Sequence, residues 1–385
     1  MANNTELRST RALRRSATWG TWALISLLVV SCSAPSEGAT SPAAETTSPV
    51  STESSQASEC APSNGAEFIC GVDNVEDFVR LSDGKLIGSD LAATGTPGRF
   101  FLFDTDRSVR SIEPQEIAIA PDPAYGACST APDWTVFNPH GMGSIDIDGR
   151  TSTLYAVNHG GRDVVEIFDV DMSADTPKLT WTGCLIPPEG AWPDDVAVLP
   201  TGGLLVTSLW DPRDPDNLRK ATDGLPQGQL LEWNTDGQWS ILPGLDNVSG
   251  QNGVIVSPDG ATAYMAAWSG KQLVTIDLVS GAVKTTGLNY TPDNLTWAAD
   301  GQTFFIGGTT ANVEEALECF TSTRVNCPET GVRVDRYNPA TSVFETLIEG
   351  NEYGQFGMTT GAIDVGDELW VNSYRSDRVA VFDLN

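Results

Sequence analysis

The chain has 385 residues, 51 of them acidic and 22 basic, for a net charge of −29 at neutral pH. Such a surface repels phosphate backbones and argues against nucleic acid as a partner. With two histidines, no Cys-x-x-Cys and no His-Glu-x-x-His, the sequence carries no zinc motif.

At the start, Arg8, Arg11, Arg14 and Arg15 precede a short apolar run, Trp19 to Val30, too short for a comfortable membrane span. The run ends Val29-Val30-Ser31-Cys32. That resembles a bacterial lipoprotein signal, with a small residue before the cysteine that becomes the lipidated N-terminus. On this reading residues 1–31 are removed and Cys32 holds the lipid. The protein is then exported and anchored in the cell envelope, on its periplasmic or outer face. An ordinary secretory signal is the alternative, and it also exports the chain. Residues 32–58 are rich in Ser, Thr, Ala, Pro and Glu. They hold too few large apolar side chains to offset the entropy of ordering, so they read as a tether. Residues 1–31 contain four Arg and one Glu; without them 18 basic and 50 acidic residues remain, or −32.

Residues 59–385 are long enough for a large core in one all-β domain. A loose unit recurs: a polar residue opens a strand, a Gly turn follows, and a second apolar strand ends in Ser, Asn or Gly. The units open at Glu76-Asp77, at His140, at Asp194-Asp195, at Asn252, at Asp293-Asn294 and at Thr359-Thr360. Later strands close on Asp or Asn, as in Phe100 to Asp104, Val165 to Asp169 and Val379 to Asp383. Six units of short strands with few helical periods predict a six-bladed β-propeller, its blades widened by inserted loops. A β-sandwich or two smaller β domains would account for the strands but not for the six-fold recurrence.

The second unit, Asn138 to Asp171, contains both histidines. His140 enters one apolar strand and His159 leaves the next, with Asp148-Gly149 as the turn between them. Antiparallel pairing brings such ends to one edge of the sheet. After Cys32 six cysteines remain, an even number in an exported chain, and 15 pairings are open to them. Local spacing and the repeats favour Cys60–Cys70, Cys128–Cys184 and Cys319–Cys327.

In a propeller the same position of every blade faces the same place. The opening residues would therefore converge on one mouth of the central channel as a ring of carboxylate and amide oxygens. That is a hard-cation site, better suited to Ca²⁺ than to Mg²⁺. Singly, each of these residues fits a turn before a strand. Five units sharing oxygen donors at one phase favour the metal.

The motifs resemble the paraoxonase/arylesterase family of calcium-dependent lactonases, over most of the folded part from about Val75 to the C-terminus. The likeness is sharpest at Asn138-Pro139-His140-Gly141 and Val157-Asn158-His159-Gly160. It implies that His140 and His159 are the catalytic histidines. It implies a catalytic Ca²⁺ held by Glu76, Asn252, Asp293 and Asn294, with Asp194 where the family usually has Asn. It also implies a second, structural Ca²⁺ at Asp77, Asp195 and the backbone carbonyl of Met142. Gluconolactonases and strictosidine-synthase-like propellers share the scaffold more distantly. This chain departs from the family in three places. No cysteine follows Cys327, so closure of the ring must come from strand pairing alone. A further family histidine is replaced around Thr309-Thr310. The family's aromatic loop after the third blade's strand is here Ser208 to Asn217.

The expected activity is hydrolysis of lactones or aryl esters, with His140 accepting a proton from water, His159 assisting it, and calcium polarising the carbonyl. No Gly-x-Ser-x-Gly elbow offers a serine nucleophile. Trp192, Trp210, Trp268 and Trp297 are candidates for an apolar pocket wall, with core packing expected for at least half of them. The insertion Thr309–Thr330, with a helix about Glu314-Glu315, reads as a surface excursion, with a lid as the alternative. The expected partners are a small lactone or ester and, through Cys32, a membrane; the chain is expected to be a monomer. Two rivals stand beside this reading: a gluconolactonase-like sugar-lactone hydrolase with other pocket residues, and a surface-anchored propeller that binds without catalysis.

Overall fold

The computed structural model describes residues 60–93 and 96–384. The expected signal segment, tether and lipidated Cys32 lie outside the described residues. The chain forms six small sheets, wound outward in chain order from the strands that begin at Val75, Pro139, Pro193, Gln251, Thr291 and Thr359, with Ala118–Ile119 and Glu67–Cys70 added at the outer edges of two of them. β1 (Glu67–Cys70) comes first. Blade 1 holds β2 (Val75–Arg80), β3 (Leu86–Asp90), β4 (Phe100–Phe103) and β5 (Val109–Ile112). Blade 2 holds β6 (Ala118–Ile119), β7 (Pro139–Asp146), β8 (Thr151–Asn158), β9 (Val164–Asp171) and β10 (Lys178–Leu185). Blade 3 holds β11 (Pro193–Val198), β12 (Leu204–Ser208), β13 (Gln229–Trp233) and β14 (Trp239–Ile241), with helix α1 (Asn217–Thr222) between β12 and β13. Blade 4 holds β15 (Gln251–Val256), β16 (Thr262–Ala267), β17 (Gln272–Asp277) and β18 (Val283–Gly287). Blade 5 holds β19 (Thr291–Trp297), β20 (Phe304–Thr309), β21 (Val332–Asn338) and β22 (Val343–Gly350), with helix α2 (Val313–Thr321) in its insertion. Blade 6 holds β23 (Thr359–Val365), β24 (Glu368–Ser373) and β25 (Arg378–Asp383). Its fourth strand is β1, which pairs antiparallel with β25. The fold is a six-bladed β-propeller, closed by strand pairing.

Burial follows the winding. The second strands β3, β12 and β20 are buried along their whole length, whereas at least half of each of the outermost strands β18 and β22 is exposed. Apolar side chains pack between neighbouring blades. Phe103 of blade 1, for example, meets Trp370 of blade 6 edge-on at 6.1 Å. Each inner hairpin turns on a glycine with φ between 61° and 90°, at Gly84, Gly149, Gly202, Gly260, Gly301 and Gly366. A side chain is strained in that conformation, which is why the Gly signals marked the hairpins in the sequence. Disulfides join Cys60 to Cys70, Cys128 to Cys184 and Cys319 to Cys327, the pairs favoured by spacing.

One irregularity repeats in all six blades. Between the first and second strands the register slips, at Val75/Phe78, Pro139/Met142, Pro193/Val196, Gln251/Val254, Pro292/Leu295 and Thr359/Gly361. In each case the inner strand carries one residue more than its partner, which is a β-bulge. The residues inside the bulges are Glu76-Asp77, His140-Gly141, Asp194-Asp195, Asn252-Gly253, Asp293-Asn294 and Thr360. They are the unit-opening residues of the sequence.

Candidate functional site

The bulges bring Glu76, His140, Asp194, Asn252, Asp293 and Thr360 to the wall of one cavity of about 40 Å³ at the propeller axis. All six side chains are buried. The Nε2 atom of His140 lies 3.8 Å from Glu76 Oε1 and 3.7 Å from Asp194 Oδ1. Asn294 donates its amide to Glu76 Oε1 at 2.7 Å, and Thr360 donates its hydroxyl to the Glu76 carbonyl at 2.6 Å.

The electrostatics are lopsided. Burial pushes the Glu76 carboxyl well above the usual range, and Asp77, Asp293 and Asp194 push it further. Burial and then Asp293 and Asp195 raise Asp194 in the same way. Asp293 is pushed up to about 8 by burial, against a hydrogen bond from Asn252. No Lys or Arg among the described residues lines the cavity. Glu76 Oε2 and Asp194 Oδ2 are buried and have no hydrogen-bond partner among the described residues. Buried carboxylates without a counter-charge are costly, and two orphaned oxygens on blades 1 and 3 are what a bound cation would satisfy. Counting His, Cys, Asp and Glu alone, no three of the described side chains are gathered into a ready-made cage. The axial donors are instead a looser mixture of carboxylates and amides. That set fits a large, geometrically tolerant cation with oxygen ligands.

Asp77 and Asp195 are engaged differently. Asp77 accepts from the N–H of Phe78 and from the N–H of Met142 in the next blade, both at 2.7 Å. Asp195 accepts from Val196 and from Val254 in its next blade, again at 2.7 Å. Both carboxylates are therefore ties between blades. Met142 supplies its N–H to Asp77 here.

The two histidines meet as the hairpin reading expected. Pro139 pairs with Asn158, and His140 Nδ1 lies 3.0 Å from His159 Nε2. His159 Nδ1 lies 2.8 Å from Asp163 Oδ1. A carboxylate can only accept, so His159 carries its proton on Nδ1. Neutral His159 then accepts at Nε2 from His140 Nδ1–H. The lone pair of His140 is left on Nε2, facing the cavity. Burial, and secondarily His159, hold the His140 pKa well below its ordinary value, so the imidazole is a neutral base.

Asp163 was not legible in the sequence. It is one acidic residue among many, and only its place four residues after His159, in the same loop, hinted at it. Trp192 stacks on the His159 ring at 4.3 Å and on Trp210 at 5.3 Å, making a continuous aromatic wall. Trp192, Trp210 and Trp268 line the axial cavity. Trp297 does not. It packs against Tyr264 and Phe304, and its indole N–H donates to the Val256 carbonyl at 2.8 Å. The Thr309–Thr330 insertion proves to be a cover rather than a surface excursion: Leu317 and Phe320 of α2 line the cavity, and Cys319–Cys327 pins the end of that helix.

A second cavity, about 640 Å³, adjoins the first. The two share Leu91, Trp192, Phe320 and Tyr374, which form the throat between them. His159, Asp163 and Arg375 line this outer groove.

No protein-family model matches the chain, and no curated protein does. Among solved structures, the chain is similar to a gluconolactonase from Xanthomonas campestris, with 16% identity and a TM-score of 0.49, over 86% of this chain and 93% of that one. It is similar to regucalcin, a calcium-binding protein from Agrobacterium tumefaciens, with 14% identity and a TM-score of 0.48, over 83% and 94%. It is also similar to a chain of a nidogen/laminin complex, with 13% identity and a TM-score of 0.47, over 75% and 88%. The functional reading rests on the site alone.

Proposed function

We propose that the protein is a calcium-dependent hydrolase of lactones or aryl esters. The observation that carries the reading is the base: the buried Nε2 of His140, relayed through His159 to Asp163, beside carboxylate oxygens with no counter-charge. Glu76, Asp194, Asn252, Asp293 and Asn294 would hold the catalytic ion. Asp77, Asp195 and the Met142 carbonyl would hold a second, structural one. Bound Ca²⁺ supplies a Lewis acid that polarises the substrate carbonyl and stabilises the oxyanion.

The chain's own residues do the rest. His140 Nε2 accepts a proton from water as the water oxygen attacks the carbonyl carbon. The Nδ1 proton of His140 can pass to His159 Nε2, and Asp163 stabilises the imidazolium that results. On collapse the ring C–O bond, or the bond to the aryl oxygen, breaks, and the departing oxygen takes the proton back. The aromatic wall and α2 keep bulk water from the base.

The full chain would be assayed on a γ- or δ-lactone, an acyl-homoserine lactone and phenyl acetate, with added calcium and with chelator. Turnover should vanish on chelation, and His140→Gln should lower kcat by about 10²–10⁴-fold with the fold retained by circular dichroism. Sugar-lactone turnover that survives His140→Gln would favour the gluconolactonase-like rival. A folded chain that binds calcium but hydrolyses nothing in the panel would favour a binding propeller.

A further inference from the structure

Arg375 is a buried cation with no carboxylate partner among the described residues. It lies in the loop between β24 and β25, only 5% exposed. Arg333 and Arg378 are buried to a similar degree, yet Arg333 faces Asp335 at 2.8 Å and Arg378 faces Asp377 at 2.6 Å. The Arg375 guanidinium lies over the Tyr374 ring, 4.4 Å from its centroid. It donates to the carbonyls of Phe320 at 3.1 Å and Tyr374 at 3.5 Å. Its Nε has no partner among the described residues, and neither do the buried Tyr374 hydroxyl and Ser376 Oγ. Three successive side chains of one loop thus carry unmet polar atoms. An unpaired buried charge is costly to a fold and is kept where a ligand completes it.

The cavities say where that ligand lies. The axial cavity, about 40 Å³, has room for about three waters at roughly 10–15 Å³ of such space each. The body of an organic substrate must therefore occupy the outer groove, with its reacting end at the throat. Among the described residues lining that groove, Arg375 is the one lysine or arginine. A planar guanidinium matches a carboxylate fork to fork.

We propose that Arg375 binds a carboxylate carried by the substrate, so that the preferred lactones or esters are monoanions. This specificity role rests on the hydrolase reading for its chemistry and on the groove for its geometry.

The test pairs 5-oxotetrahydrofuran-2-carboxylate with its N-methyl amide, using the full calcium-loaded chain. The acid should exceed the amide by about 10- to 100-fold in kcat/KM, the range of one charge-assisted hydrogen-bonded pair. Arg375→Met should erase that preference through KM, lowering kcat/KM for the acid far more than for the amide. Equal kcat/KM for acid and amide in the natural chain would overturn the proposal, as would an equal loss on both substrates in Arg375→Met. Should Arg375→Met not fold, Arg375→Lys keeps the charge without the fork, and an undiminished preference in it counts against the proposal. Calorimetric titration with tetrahydrofuran-2-carboxylate, which has no lactone to open, separates the two readings. Binding that is lost in Arg375→Met upholds the carboxylate seat even if no lactone is hydrolysed. Binding that is absent, or the same in both, overturns it even if lactones are hydrolysed.

Discussion

The carboxyls at the axis couple this protein's stability to pH and, through the proposed calcium, to cations as well. Asp195 is pushed up to about 7 and Asp293 up to about 8, both chiefly by burial, and Glu76 and Asp194 are raised as well. In the unfolded chain these groups titrate near pH 4. Between pH 4 and 8 the cation-free folded chain therefore binds more protons than the unfolded one. The contribution of these carboxyls to stability is full below pH 4 and falls as pH rises, by up to roughly 1.4 kcal/mol per pH unit for each carboxyl still titrating. The proposed cation would compete with those protons, so its stabilising effect should grow with pH. Thermal melts in chelator should lose stability from pH 5 to pH 8, and the increment from millimolar calcium should widen over the same interval. An increment that shrinks with pH would separate these carboxyls from the cation. The two histidines were readable in the sequence because each sits beside a glycine at a strand end. Asp163 and Arg375 were not: Asp163 is one carboxylate among many, four residues from its partner in the same loop, and Arg375 acts through a contact across loops that no spacing encodes.

At the scale of the element, the bulge does the positioning. An extra residue in the inner strand turns a side chain that alternation would send into the sheet toward the axis instead. The bulge also brings inner strands close together, and glycine makes room for it. A Cβ on Gly141 would lie 2.5 Å from the Asp194 carbonyl oxygen and 2.7 Å from the Asp195 Cα. Backbone atoms cannot step aside as a flexible side chain can. Gly141→Ala should therefore cost about 1–3 kcal/mol, read from the urea midpoint, and should displace Asp194 enough to weaken calcium binding. Gly287 lies at the end of β18 with nothing within 4 Å of a new Cβ, so Gly287→Ala should stay within about 0.5 kcal/mol. Equal effects at the two positions would show that the close approach at Gly141 carries no strain. Polar residues at a fixed phase marked the inner strands in the sequence, but the bulge itself left no signal beyond their doubling in Glu76-Asp77, Asp194-Asp195 and Asp293-Asn294. The short elements were silent. β6 is two exposed residues, and α1 is a single six-residue helix cut from a Pro- and Asp-rich loop.

A ring of six blades must be fastened once, and here the fastening is β1. Its pairing runs from Glu67 with Val381 to Cys70 with Arg378. Beyond the ladder, Arg107 of blade 1 bridges to Glu67 and to Glu368, and the Asn74 N–H donates to the Ser376 carbonyl at 2.7 Å. Phe68 packs on Phe356 at 6.2 Å, and Ile69 is buried. The disulfide at this end, Cys60–Cys70, closes a loop within the N-terminal segment and does not cross the seam. The ladder and its packing should therefore carry closure, with the disulfide secondary. Cys60→Ser with Cys70→Ser should cost about 2–3 kcal/mol, the loop-entropy contribution of so short a bridge, and leave a soluble monomer. A chain beginning at Gly71 loses the ladder too. It bares β25, whose Val379, Ala380 and Val381 are buried in the closed ring, as an unpaired apolar edge. Light scattering should then show association at concentrations where the double-serine chain stays clear, and the urea midpoint should fall well below that chain's. If the two chains behaved alike, the ring would be held by inter-blade packing, and the pairing of β1 with β25 would be a consequence of closure rather than its cause.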